Sequence, residues 1–174
     1  KPIHVEYEFV HDPDNKALYC YNPQRPLTKF HFNNNAIKSD NKKMNLESGL
    51  IVSYQTFVKD GVPEVVVKLL PYFDMSKSWI SSSLNFEKAL QYAQTYFKFS
   101  AKSAREIVAN IESQPLTLSE VKNALDGWYI SATQDIKEQQ VAFLTETNYN
   151  IDASEYDTWK RSLAITNENI FLIK

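Results

Sequence analysis

Tyr92 and Tyr96 stand one helical turn apart in ALQYAQTYFKFSAKSAREIVANI, residues 89–111. Residues four apart share one face of a helix, so this spacing sets two phenol rings side by side. The same spacing carries the paired histidines of the H-E-x-x-H motif, in which two imidazoles hold zinc and a glutamate serves as base. Here both ligand positions are tyrosine and the glutamate position is Ala93. A phenol has a pKa near 10 and must lose its proton before it ligates a metal. An alanine cannot take a proton from a metal-bound water.

Few other residues carry chemistry. Cys20 is the single cysteine, which excludes an internal disulfide and a cysteine metal cage. His4, His11 and His31 all fall in the N-terminal fifth, and no histidine occurs in the helical half. Of these, His31 alone has a claim as a base, and a surface or capping role suits it better. Ser81-Ser82-Ser83 reads as a helix-entry loop rather than a nucleophile, because no histidine follows it. Arg105 suits a structural ion pair better than a lining role, and Glu146 a helix-end carboxylate. Lys38, Lys42 and Lys43 read as part of a solvated loop.

The elements that must position these residues follow from periodicity. The alternation in HVEYEFV (4–10) predicts a half-buried strand, ALYCY (17–21) a short apolar one and LTKFHF (27–32) another. The polar run 33–48 reads as a surface loop. LIVSYQTFV (50–58) and PEVVVKLLPYFD (63–74) flank Asp60-Gly61, a strong hairpin signal. Pro63 and Pro71 sit near the ends of the second strand, where a missing N–H is tolerated. Residues 84–111 then carry an apolar stripe of period 3.6. TLSE (117–120) opens a second helix as a capping box, and that helix is expected to reach about Phe143. DASE (152–155) opens a third, with Tyr156, Trp159, Leu163 and Ile165 inward. NIFLIK reads as a closing strand. Strands first and helices after predict an α+β class with an N-terminal antiparallel sheet and about three helices.

With 174 residues the chain fits one domain, 1–174, with a core that needs no staples. A net charge of −2 with dispersed Lys and Arg excludes the basic footprint of a nucleic-acid binder. No stretch has the length and apolarity of a membrane span. The first residue is Lys1 rather than Met, which is compatible with a removed secretory leader or lipid anchor.

Several pieces, in order, resemble a bacterial family of secreted zincin-like metalloproteases, domain of unknown function 922. Arg25-Pro26-Leu27-Thr28-Lys29-Phe30-His31-Phe32 is similar to the family's opening RPLTWxDF. Phe73-Asp74 and Ser78-Trp79-Ile80 are similar to its FD…SWV. Leu90 to Phe99, continuing to Ala104-Arg105, follows the register of its helix LAHEQGHFDIAELYAR. Glu146-Thr147-Asn148-Tyr149-Asn150 is similar to its ETxHG, ahead of a helix bearing Trp159. The resemblance covers about residues 25–165.

The departures decide what the resemblance implies. Tyr92 and Tyr96 occupy the two histidine positions, Ala93 the glutamate position, and Tyr149 the position of the histidine in ETxHG. Gln94, Arg105 and Glu146 would stand around the site. A zinc centre takes three neutral or anionic ligands and a water. Three phenols and an alanine imply a degenerate member with no zinc, no cofactor and no peptidase activity, a pseudoenzyme. Its expected place is secreted or periplasmic, and its expected role is binding a protein, peptide or glycan, or structure in the cell envelope. The three tyrosines fill the vacated space, or line a ligand groove, or bind iron as tyrosinates. A hydrolase using an unrecognised site is the enzyme alternative.

Overall fold

A computed structural model describes residues 1–34 and 42–173. Among the described residues the strands are β1 (His4–Phe9), β2 (Leu18–Cys20), β3 (Met44–Asn45), β4 (Ser48–Lys59), β5 (Val62–Asp74) and β6 (Trp79–Ile80). The three helices that follow are α1 (Phe86–Ser113), α2 (Leu118–Thr147) and α3 (Ser154–Ser162). The class is α+β, as the order of patterns predicts.

β5 is the axis of the main sheet. It pairs antiparallel with β4 along one edge, from Ser48 opposite Phe73 to Lys59 opposite Val62. Its other edge is shared by β1 and β2. β2 runs antiparallel to it, but β1 runs parallel, with His4 opposite Glu64 and Phe9 opposite Leu69. The sheet is therefore mixed, not wholly antiparallel. The alternation in β1 specifies which face is buried, not the direction of the partner strand. Both prolines of β5 fit this layout. Pro71 falls in the gap between β1 and β2, where its carbonyl accepts the Tyr21 N–H at 2.9 Å. Pro63 precedes the first β1 pair. A central strand tolerates Pro only where no ladder bond is due.

Asp60 and Gly61 close the hairpin with φ of 52° and 78°. Positive φ at both central residues defines a type I′ turn, whose twist matches that of the strands. Asp-Gly is suited to that geometry because Gly has no Cβ to clash.

Two predicted strands are short 3-10 helices instead. Lys29–His31 is capped by Thr28, whose backbone N–H donates to His31 Nδ1 at 2.8 Å. These local bonds outcompete extension. At the C-terminus Glu168–Phe171 winds as 3-10 after Asn167 at φ 55°, and Phe171 is buried against Phe9 and Tyr21. The run 33–48 is not wholly a loop either. Met44–Asn45 pairs with β6, Met44 and Leu46 are buried, and Ser48 opens β4. Residues 35–41, with Lys38, lie outside the described residues.

α1 buries the predicted stripe. Ala89, Ala93, Tyr96, Phe97, Ala101, Ala104, Ile107, Val108 and Ile111 are all in the core, while Leu90 is half-buried. Asn85 caps it, accepting the Lys88 N–H at 3.1 Å. α2 starts at the Thr117/Glu120 capping box and reaches Thr147, one turn past Phe143. Its Val121, Leu125, Ala132 and Ile136 are buried, Trp128 is partly so, and Leu118 is exposed. α1 packs against the sheet and α2 against α1, so the first turns of α1 meet the last turns of α2. That junction is where Tyr92, Ala93, Tyr96 and Tyr149 belong.

Candidate functional site

α2 ends with two residues in the left-handed region, Asn148 at φ 47° and Tyr149 at φ 59°. Asn enters this region readily, but a non-glycine aromatic enters it at a cost of roughly 1–2 kcal/mol. The turn folds the chain back over the helix end and brings Tyr149 to the N-terminal half of α1. Its ring centroid lies 6.1 Å from that of Tyr92. Tyr92, Tyr96 and Tyr149 are thus brought together, with Ala93 fully buried on the same helix.

The three rings are held differently. Tyr92 is fully buried and stacks on Phe143 at 4.7 Å. Its hydroxyl lies 2.7 Å from Thr147 Oγ1, which itself donates to the Phe143 carbonyl at 2.7 Å. The threonine hydrogen is thereby spent, so Tyr92 is the donor in the pair. Tyr96 is 5% exposed and packs near Phe143 at 6.5 Å. Tyr149 is only partly buried and faces a cleft of about 450 Å³. Lys43, Asn85, Lys88, Glu146 and Asn148 also line that cleft. Lys88 is already paired with Asp152 at 2.8 Å.

Burial keeps the Tyr92 and Tyr96 phenols protonated. Burial pushes the Tyr92 hydroxyl well above the ordinary phenol value, and the Thr147 hydrogen bond only partly offsets it. Burial also raises Tyr96, and the nearby Glu47 carboxylate adds to the shift. Neutral phenols are poor metal ligands, and the Tyr92 hydroxyl is already engaged by Thr147. Among the described residues no cluster of three His, Cys, Asp or Glu is placed to hold a metal ion. The donor set at these positions does not fit zinc.

The surrounding residues divide. Glu146 lies at the site and accepts a hydrogen bond from Trp159 Nε1. Gln94 faces away from it, and its Oε1 accepts the Leu27 N–H at 2.8 Å. It therefore ties the Arg25–Thr28 segment to α1 rather than supporting the tyrosines. Arg105 stands about 13 Å further along the helix axis from Tyr96, at 1.5 Å per residue. It forms no ion pair among the described residues, and its Nε and Nη1 are buried without a protein partner.

Sequence reasoning passed over two residues of the site. Phe143 is the hub, in ring contact with Tyr92, Tyr96, Phe99, Tyr156 and Trp159. Its only trace in the sequence is a place in the apolar positions of α2. Tyr156 stacks on Tyr92 at 6.1 Å, and its hydroxyl lies 2.7 Å from Thr95 Oγ1. The remaining candidates fall outside the cluster. His31 is a cap and stacks on Tyr19 at 4.2 Å. Cys20 is buried, with its thiol pKa raised to about 12 by desolvation, which keeps it un-ionised at neutral pH. Ser81 and Ser83 hydrogen-bond to each other at 2.9 Å in the loop before α1.

Comparison with family models, with curated proteins and with solved structures gives no match to this chain.

Proposed function

We propose that this protein is a non-catalytic relative of the secreted zincin-like metalloproteases it resembles, a pseudoenzyme that binds a ligand or serves as structure in the bacterial envelope. The observation that carries the reading is the meeting of Tyr92, Tyr96 and Tyr149, with Ala93 buried on the same helix. These are the positions where the resemblance would put three metal ligands and a base. The antiparallel packing of α1 and α2 brings the end of α2 to the start of α1, and the left-handed turn at Asn148–Tyr149 turns the third ring toward Tyr92, as the resemblance requires.

The chemistry of the cluster favours packing over catalysis. Two rings are buried, their phenols are neutral, and the base position is a methyl group. What stays open is the cleft beside Tyr149, with its amides, lysines and one aromatic edge. Such a surface suits a polar extended ligand, a peptide or a glycan. A secreted or periplasmic location follows from the family resemblance. Among the described residues no helix is long and apolar enough to cross a membrane.

The test is a peptidase panel run with and without added zinc. No turnover in either condition is the expected result. Zinc-dependent cleavage would falsify the pseudoenzyme reading.

A further inference from the structure

We infer that the protein forms a two-fold symmetric dimer by pairing β4 with β4 of a second copy, extending the two main sheets into one. Asp74 N–H bonds to the Glu47 carbonyl at 2.8 Å, which fixes the phase of the β4–β5 ladder. In that phase the odd-numbered residues of β4 turn their backbone groups toward β5. The even-numbered residues turn theirs to the free edge. At Ser48 that edge is capped, because Gln140 Nε2 donates to the Ser48 carbonyl at 3.3 Å. From Leu50 through Val52, Tyr54, Thr56 and Val58, no hydrogen bond from the described residues reaches it.

α2 stands beside the first part of this strand, with Leu125, Asp126 and Tyr129 near Val52 and Tyr54, but the strand itself carries no protective residue. From Ser48 to Val58 there is no charge and no proline. Ile51, Tyr54, Phe57 and Val58 are 38%, 37%, 38% and 68% exposed. A long, apolar, uncharged edge is a template for another strand.

The sequence of β4 is complementary to itself in one antiparallel register. With Tyr54 opposite Tyr54 of the second copy, Ile51 falls opposite Phe57, Leu50 opposite Val58 and Val52 opposite Thr56. Every outward-facing residue from Leu50 to Val58 then finds a backbone partner, and capped Ser48 is left out. Lys59 becomes the diagonal neighbour of Glu47 of the second copy, on the same face and with opposite charge. Both contacts occur twice, as isologous symmetry requires.

Sedimentation velocity over a range of concentrations tests this. The wild type is expected to dimerise at micromolar concentration. Thr56→Pro removes an outward N–H without touching the β5 ladder, and should leave a monomer with an unchanged far-ultraviolet spectrum. Ile51→Lys and Phe57→Glu should each weaken association by about tenfold or more, since each change acts twice across the axis. The Ile51→Lys/Phe57→Glu double variant sets Lys opposite Glu and should restore association. A wild type that stays monomeric throughout overturns the inference, and so does a dimer indifferent to a folded Thr56→Pro. If Thr56→Pro does not fold, the charge pair decides, and failure of the double variant to recover overturns the proposed register.

Discussion

Tyr92 contributes both a stacked ring and a bonded hydroxyl to the site, and the two separate by substitution. Tyr92→Phe keeps the stack on Phe143 but removes the buried hydrogen bond to Thr147 Oγ1. The expected loss is roughly 1–2 kcal/mol in denaturant unfolding. Tyr92→Ala empties a fully buried ring site and should cost about 3–5 kcal/mol. A similar loss for both would mean that the hydroxyl, not the ring, holds the junction. The raised phenols set a pH limit as well. Their folded pKa values lie above the unfolded value near 10. Their stabilisation is therefore whole below about pH 10 and is lost as pH rises through the folded values. Absorbance of tyrosinate against pH should show the buried phenols ionising only together with unfolding. Independent early titration of every tyrosine would contradict their burial. At this scale the sequence was informative about residue types and poor about partners. The i, i+4 tyrosines are visible in the text, but the turn at Asn148–Tyr149 that delivers the third ring is not. The Gln94–Leu27 bond spans 67 residues and leaves no local signal.

Elements were legible where local chemistry and periodicity agree. The 3.6-residue stripe of α1, the Thr117/Glu120 box and the Asp60-Gly61 turn each have one low-energy local solution, and the fold adopts it. The hairpin allows a clean check. A Cβ on Gly61 would meet nothing within 4 Å, so its φ of 78° is the whole obstacle to a side chain. Gly61→Ala is expected to cost about 1 kcal/mol in thermal or chemical unfolding, from backbone strain alone. No measurable loss would mean that the turn relaxes to another type. Elements misread from the sequence are those where alternation competed with something else. LTKFHF alternates, yet Thr28 and His31 bond locally. NIFLIK is apolar enough for a strand, yet Asn167 turns the chain and Phe171 plugs the core between Phe9 and Tyr21. β1 shows its buried face in its pattern, but its parallel direction depends on β5, more than fifty residues away.

Across the whole molecule, α1 connects two regions. Its C-terminal half packs into the sheet core, and its first turns join the ring cluster centred on Phe143. A catalytic scaffold that loses its metal must replace the cohesion the ligands supplied. On the reading proposed above, Phe143 with Tyr92, Tyr96, Tyr149 and Tyr156 would provide that cohesion, and the cleft beside Tyr149 would be the surface for recognition. On that reading the fold persists with aromatic packing where the zincin-like proteases would hold a metal. Calorimetric zinc titration of the wild type, beside the Tyr92→His/Tyr96→His/Tyr149→His variant, tests it most directly. No stoichiometric zinc binding is expected of the wild type, and one zinc per chain of the folded variant, whose three imidazoles would converge. Tight stoichiometric zinc binding by the wild type, or none by the folded variant, would contradict it.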